Sequence, residues 1–283
     1  IYGLQLGAIY ALVALGYSMV YGIIRLINFA HGDIIMVASF VVWYLIARLN
    51  VPVWLSILIC VAFTSLLGVA IEKLAYKPLR HSARISLLIT AIGISFFLQN
   101  AAQLIFGADP VMFENLFPGN LSLGALTVSR VSVIIICVSI VLMIALVLLV
   151  NKTRMGRAMR AVSEDESTAA LMGINVNTTI SFAFALGSAL AAVAAILYSC
   201  AYTQISPTMG GMLGLKAFVA AVLGGIGSIP GAMLGGILIG ICETLTKAYI
   251  SSSFADAIVF GILIVVLIIR PSGLLGVKTK EKV

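Results

Sequence analysis

The sequence predicts an all-α fold, a polytopic bundle of transmembrane helices, and two observations support this. First, 62% of the 283 residues are hydrophobic and 10% are charged, whereas a soluble domain carries roughly a quarter of charged residues. Second, apolar runs of about 20 residues, enough to cross a bilayer, recur from end to end, and they do not alternate as barrel strands do. We predict one transmembrane domain over residues 1–283, with about seven full spans and two half-helices that meet at a glycine and proline break.

The first half of the chain contains four predicted spans. Their approximate bounds are residues 3–24, 34–47, 53–74 and 85–106. The loop after the third span has four basic residues and one acid, Glu72, so the positive-inside rule places it in the cytoplasm; the basic residues are Lys73, Lys77, Arg80 and Arg84. Residues 107–130 contain Asp109, Glu114 and several turn-forming residues, which indicates an external loop.

Three further spans are predicted over residues 131–150, 179–200 and 254–269. Between the last two, residues 213–245 are apolar for longer than one helix needs, and we interpret them as two half-helices that begin and end outside. Of the 17 basic residues, 12 then lie on the cytoplasmic side, including Lys278, Lys280 and Lys282 of the tail. We therefore predict a multi-pass protein of a bacterial inner membrane with a cytoplasmic C-terminus. The chain opens at Ile1 in apolar sequence, so we expect a short segment to precede it.

The largest polar segment, residues 151–176, is called the island here. It holds seven of the chain's 27 charged residues, 17 basic and 10 acidic. Ser163 is predicted to cap a short helix with Glu166 at its third position, and Gly173 to end it. A helix lying on anionic lipid is one interpretation, but three consecutive carboxylates, residues 164–166, would be repelled there. A helix that docks a soluble partner is favoured.

A polar interruption, RLINFAHGD, separates the first two spans at residues 25–33. Polar side chains near membrane depth are costly, so Asn28, His31 and Asp33 are candidates for a translocation path. The alternative is that Asn28 and Asp33 cap helix ends and that Arg25 anchors the chain at the membrane surface. His31 has no second ligand at a suitable spacing, so no metal site is expected.

The second interruption, GGIGSIPG at residues 224–231, is not a nucleotide-binding loop. Pro230 stands where a phosphate-binding pattern needs glycine, and no G-x-x-x-x-G-K-[ST] run exists in the chain. Any energy source must therefore lie in another polypeptide. A broken helix with backbone lining the path is favoured, and close glycine packing is the alternative; the candidate path residues are Gly224, Gly225, Gly227, Pro230 and Gly231.

A few charged residues remain inside the apolar segments. Glu243 and Lys247 have the i,i+4 spacing of a helical ion pair, and Asp256 lies near the start of the last span, where the helix dipole favours an acid. These are interpreted as structural. Lys216 has no partner that the sequence reveals.

Several long motifs resemble the LivH-type branched-chain amino acid permeases of ABC importers. They are YGIIRLINFAHGDIIMVASF, IEKLAYKPLR, ISFFLQN, RMGRAMRAVSEDESTAALMGINV and KAFVAAVLGGIGSIPGAMLGGILIG. The resemblance covers essentially the whole chain. It implies a second, related permease subunit, two cytoplasmic ATPases and an external substrate-binding protein, with ATP and Mg on the ATPases and no cofactor in this chain.

The resemblance also implies that the island is the loop that couples the permease to its ATPases. The residues expected to take part are Arg157, Arg160, Glu164, Asp165, Glu166, Ala169, Ala170 and Gly173. The general importer signature places Glu directly before two alanines, with a glycine after three further residues. Here Ala169, Ala170 and Gly173 are shifted in spacing and lack that Glu, so the motif does not identify which acid contacts the ATPase.

The predicted function is an ATP-driven importer subunit for branched-chain amino acids, and not an enzyme. A urea or short-chain amide permease is an alternative, since those permeases share much of the pattern. A secondary carrier would need an intramembrane carboxylate, for which only Glu243 is available, and an enzyme would need convergent catalytic groups that the sequence lacks. The net charge of +7 is explained by topology and contact with lipid, so no nucleic acid partner is expected.

Overall fold

The computed structural model describes residues 1–25, 28–80, 82–123 and 126–276. Their helices are α1 Tyr2–Ile24, α2 His31–Ala47, α3 Val53–Ile71, α4 Arg84–Phe106, α5 Arg130–Lys152, α6 Arg154–Glu164, α7 Glu166–Leu171, α8 Val176–Ala201, α9 Met209–Gly224, α10 Ile229–Tyr249 and α11 Ser252–Ile269. A π-helical turn, Glu72–Tyr76, and a 3₁₀ turn, Lys77–Leu79, extend α3. The strands are β1 Val111–Met112, β2 Asn120–Leu123, β3 Leu126–Ser129 and β4 Gln204–Ile205.

The predicted all-α bundle is confirmed: within the described residues, seven helices are long and apolar enough to cross a membrane. They are α1, α3, α4, α5, α8, α10 and α11. Two shorter apolar helices complete the set, α2 with 17 residues and α9 with 16. The two helices predicted to be short correspond to α9 and α10. In the structure α9 is short, but the second short helix is α2 and not α10. With 21 residues, α10 has the length of a full span.

Helix α1 is the centre of the bundle, since most of its residues are buried. It runs antiparallel to α10, and small residues let the two backbones approach closely. A Cβ on Gly236 would lie 2.3 Å from the Ala11 nitrogen, and one on Gly240 would lie 2.1 Å from the Gly7 nitrogen. Larger side chains at these positions would force the helices apart.

The two ends of the bundle differ in structure. We call the end that carries α6 and α7 the island end, and the opposite end the strand end. At the strand end β1 pairs with β4, with Val111 opposite Ile205, and β2 pairs with β3 as a hairpin. The sequence predicts only a loop there, because strands of two to four residues are too short to show an alternating pattern.

The glycine break lies at the island end and not in the middle of the bundle. Gly227 is next to Gly22 in the last turn of α1, and Arg25, directly after α1, donates to the Ser163 carbonyl of the island over 3.4 Å. Positive φ angles of 108° at Gly225 and 87° at Gly227 turn the chain between α9 and α10. The predicted pair of half-helices is therefore wrong for α10, which runs from this turn back to the strand end.

The described chain ends at the island end. After α11, the Leu274 and Leu275 amides donate to the Leu223 and Gly224 carbonyls over 2.8 and 2.9 Å. The tail lysines, Lys278, Lys280 and Lys282, lie outside the described residues, so the cytoplasmic location of the C-terminus stays a prediction.

Candidate functional site

Helix α6 is the first half of the island. It begins after Thr153, whose Oγ1 accepts a hydrogen bond from the Gly156 amide over 3.0 Å. Gly156, Met159 and Val162 are buried, and their spacing of three residues gives one face that packs on the bundle. The predicted cap at Ser163 is wrong, because Ser163 lies in the last turn of α6 and its Oγ donates to the Arg160 carbonyl over 2.7 Å.

Helix α7 is capped instead by Asp165. Its carboxylate accepts from the Thr168 amide over 2.8 Å and from Ser167 Oγ over 2.6 Å. The Ser167 hydroxyl and the Thr168 amide both stabilise the ionised form, which lowers the pKa of Asp165. Gly173 follows the helix with a φ of 82°, as predicted for its role in ending the helix.

The island presents most of the predicted coupling residues to solvent. Those that are exposed are Arg157, Arg160, Glu164, Asp165, Glu166, Ala170 and Gly173. Ala169 is 4% exposed and packs α7 onto the bundle, so it supports this surface without forming part of it. Sequence reasoning missed two apolar residues at the end of α7: Leu171 is 87% exposed and Met172 is 78% exposed. No sequence pattern reveals this exposure, because a helix of six residues is too short to show which of its faces points away from the bundle.

A shallow groove of about 280 Å³ borders the island between α6 and the start of α8. Its lining includes Met155, Ala158 and Ile174, so its floor is apolar beside an exposed charged surface. The combination of a charged rim and an apolar concavity suits the contact surface of a soluble protein.

The first polar interruption enters the interior of the bundle. Arg25 has a left-handed φ of 54° and ends α1. Asn28 is 2% exposed; its Oδ1 accepts from the Tyr76 hydroxyl over 2.8 Å and from the Ala30 amide over 3.1 Å. Asn28 therefore closes a turn just before α2 and links it to the π-helical turn after α3. The alternative that Asn28 caps a helix is wrong, because Ala30 stands at the cap position of α2 and this helix has no side-chain cap.

His31 and Asp33 begin α2 and are both buried. The His31 ring packs against Gly16 and contacts Tyr17 edge-on, with ring centroids 4.8 Å apart. Asp33 accepts from the Ser95 hydroxyl and, over 2.9 Å, from Gln99 Nε2, both on α4. Its carboxylate thus links α2 to α4 and does not cap a helix.

The two interruptions do not meet among the contacts of the described residues. Gly32, at the start of α2, lies against Gly210 and Gly214 of α9. The second interruption instead packs on itself and on the segment after α11, with Gly224 against Gly231 and Gly225 against Gly273 and Gly276; Pro230 is exposed at the start of α10. Close packing, the alternative for the glycines, describes these contacts, and a role for either interruption in the path stays a prediction.

Four charged side chains from α9, α10 and α11 form a network that we call the ion cluster. Glu243 Oε1 accepts from Lys216 Nζ over 2.8 Å and from Lys247 Nζ over 2.6 Å, and Lys216 Nζ also lies 2.6 Å from Asp256 Oδ1. The Tyr10 hydroxyl donates to Glu243 Oε2 over 2.7 Å. The predicted Glu243–Lys247 pair is confirmed. Asp256 pairs with Lys216 instead of serving only the dipole of α11.

A cavity of about 170 Å³ opens beside the ion cluster at the strand end. Its polar lining combines lysine, glutamate and tyrosine side chains, namely Tyr10, Tyr198, Tyr202, Lys216, Glu243 and Lys247. The sequence could not reveal this site, because its residues come from four helices, α1, α8, α9 and α10, and lie up to 237 positions apart. No group of residues in the described chain could hold a metal ion.

The bundle defines the class of the protein: it is a multi-pass membrane protein, with seven membrane-spanning helices among the described residues. The chain matches, over residues 1–267, the family described as "Branched-chain amino acid transport system / permease component". It therefore belongs to this family of ABC transporter permeases.

Characterised relatives span almost the full length of the chain. It is 44% identical, over 294 aligned positions, to the high-affinity branched-chain amino acid transport system permease protein LivH of Escherichia coli K12, covering 99% of this chain and 96% of that protein. The values for BraD of Pseudomonas aeruginosa PAO1 are the same. Among solved structures, PsaBC from Streptococcus pneumoniae in complex with Fab shares the fold, with a TM-score of 0.50 and 15% identity over 96% of this chain and 93% of that one.

Proposed function

We propose that this chain is the transmembrane permease subunit of an ATP-driven importer of branched-chain amino acids in a bacterial inner membrane. The relatives' transport of these substrates supports the substrate class. The observation that carries the ATP-driven part is the island, where two short helices project charged and apolar side chains away from the bundle. Exposed charged side chains are unfavourable within a lipid bilayer, so such a surface suits a soluble partner.

The partners are proposed to be two cytoplasmic ATPases with ATP and Mg, a second related permease and an external substrate-binding protein. The island would receive the motion of the ATPases, because α6 packs on α1, α5 and α8. ATP-bound and free ATPases would favour outward- and inward-facing arrangements of these helices. We propose that the island and the C-terminus lie in the cytoplasm, as the distribution of basic residues predicts.

The rival transport mechanism, a secondary carrier, depends on Glu243. In the structure this carboxylate is bound by two lysines and a tyrosine. A carrier coupled to an ion needs a carboxylate that is free to bind that ion, whereas this one is already paired with both lysines and the tyrosine. The arrangement therefore favours the ATP-driven mechanism.

The direct test of the partners is purification of the complex from its native membrane without crosslinker. An ATPase and a second permease are expected to copurify with the chain. Absence of an ATPase under conditions that keep the chain monodisperse would contradict the proposal.

A sharper test reverses two charges of the island while keeping its fold. Asp165 must be retained because it caps α7, so the variant is Glu164→Lys with Glu166→Lys. We expect loss of ATPase association and of transport, with unchanged membrane insertion. The matched control is Asp109→Lys with Glu114→Lys, two exposed acids at the strand end, which should leave ATPase association intact. Unchanged transport by the island variant would overturn the proposed docking surface.

A further inference from the structure

The ion cluster places charged side chains inside the bundle, and the proposed function leaves it unexplained. Glu243 is 1% exposed and Lys216 is 8% exposed, although α9 and α10 are apolar helices. Charged groups inside a membrane protein are costly, and they mark substrate or ion pathways more often than structural sites. A hydrophobic pair of similar volume would stabilise the bundle as well or better. We therefore asked what this cluster could bind.

The cluster is electrically balanced but retains hydrogen-bond donors. Each lysine ammonium has three N–H donors; in the described chain Lys216 uses two of them, on Glu243 and Asp256, and Lys247 uses one, on Glu243. Both ammonium groups line the cavity. The unused donors therefore form a site for a carboxylate, which charge-assisted hydrogen bonds would hold.

Two tyrosines of the cavity lining suit a cation. Tyr198 and Tyr202 lie one turn apart on and just after α8, with ring centroids 4.7 Å apart. Tyrosine rings and hydroxyl oxygens can offer an ammonium group π-electron density and hydrogen-bond acceptors. Glu243 adds negative charge on the same cavity surface.

The remaining lining is apolar, with Leu6, Met209, Met212 and Leu213. Met212 is flexible enough to fit side chains of different shape. The volume of about 170 Å³ is similar to the roughly 150 Å³ cavity that accommodates a benzene-sized molecule. The cavity can therefore hold one small apolar group beside the charged side chains that line it.

We propose that this cavity binds a zwitterionic amino acid with an apolar side chain, with Lys216 and Lys247 on its carboxylate and Tyr198 and Tyr202 around its ammonium group. This inference rests on the proposed function, since it gives the transported substrate a binding site inside the permease. Tyr10 is a positioning residue, because its hydroxyl fixes Glu243 and thereby the two lysines. Specificity for amino acids would then be set partly in this chain and not only in the binding protein.

The test measures radiolabelled leucine binding to the purified transporter complex, without the external binding protein, by scintillation proximity. Leucine should bind saturably, and leucinamide and 4-methylpentanoate, which lack one charge each, should compete at least about tenfold more weakly. Lys247→Gln, at a partly exposed lysine, and Lys216→Met should each weaken leucine binding by about tenfold or more. Unchanged affinity in both variants would overturn the proposal.

A matched pair of α9 variants guards against effects on folding. Met212→Phe fills the cavity, whereas Leu215→Phe adds the same group three residues away, at a residue of similar exposure outside the cavity. Only Met212→Phe should reduce leucine binding; equal binding by the two would count against the site.

Uptake of leucine into proteoliposomes, with ATP and the binding protein, separates the two proposals. A wild-type complex that takes up leucine but does not bind it in the cavity refutes this inference and leaves the proposed function standing. A complex that takes up no leucine refutes the proposed function, and charge-dependent binding in the cavity would still support the site.

Discussion

The island and the ion cluster both concentrate charge, but they do so in opposite environments. The island charges are exposed and make few contacts with one another; Arg160, for example, donates to the amide oxygen of Asn151. In the ion cluster, Lys216 and Lys247 both bind one buried carboxylate, Glu243, while Lys247 and Asp256 are partly exposed. The comparison teaches that a dense run of charges in sequence marks a surface, whereas charges scattered singly through apolar helices mark an interior site.

The largest difference between the island and the ion cluster is expected when one carboxylate is removed from each of them. Glu243→Leu leaves Lys216 and Lys247 without their shared partner. Because Lys216 keeps Asp256 and Lys247 is partly exposed, we expect a loss of about 3 kcal/mol, the low end for a broken buried ion pair. Glu164→Leu removes an exposed acid and should leave stability unchanged. The measurement is thermal unfolding in detergent, followed by size-exclusion chromatography. Equal unfolding midpoints for the two variants would show that Glu243 contributes no more to stability than Glu164 does.

A smaller effect is expected where α1 and α10 are in close backbone contact. Gly240→Ala places a methyl group against the Gly7 backbone and should cost about 1–3 kcal/mol through overpacking. Gly261→Ala in α11 is the control, because nothing lies within 4 Å of its added methyl group. The same unfolding assay applies, and a stable Gly240→Ala variant would mean that α1 and α10 can separate without loss.

The smallest effect is expected for Asp165, because removing its cap affects only α7, a helix of six residues. Asp165→Ala removes the cap of α7 and should increase amide hydrogen exchange over residues 166–171, while the bundle keeps its unfolding midpoint. Asp165→Asn retains an accepting side-chain oxygen and should restore protection. If Asp165→Asn instead behaves as Asp165→Ala, the charge matters more than the cap.

Acid should reproduce the effect of removing this cap. The pKa of Asp165 is lowered in the folded protein by the hydrogen bonds from Ser167 and Thr168. Its stabilising contribution is therefore complete above the ordinary aspartate pKa of about 3.9 and is lost as the pH falls through the lowered value. Exchange of the α7 amides in the wild type should rise in that range more than in Asp165→Asn.

The sequence was sufficient to predict the helices, because each long span is apolar over its whole length. It was also sufficient for the polar island and for the role of Gly173, which depends on local conformation. The cap of α7 was misassigned to Ser163, because Ser163 and Asp165 are both good capping residues and only packing through Met159 and Val162 extends α6 past Ser163.

Features that depend on distant residues were not predictable. Lys216 meets Glu243 and Asp256 only after α9, α10 and α11 have packed together. The pairing of β1 with β4 joins loops that are more than 90 residues apart. The exposure of Leu171 and Met172 follows from the face of α7 that Ala169 turns toward the bundle, and a helix of six residues is too short for its pattern to reveal that face.

The contacts of the segment after α11 restrict how α9, α10 and α11 can move relative to one another. Its amides join Leu223 and Gly224 at one end of α9, and in the middle of α9 Lys216 joins this helix to α10 and α11 through Glu243 and Asp256. Because α9 is held at two places along its length, we expect the three helices to move together as a single strut. Spin-label distances between α9 and α11 should therefore stay constant through the transport cycle, with rotation confined to the connection between β4 and α9. A distance that changes within the strut would refute this rigidity.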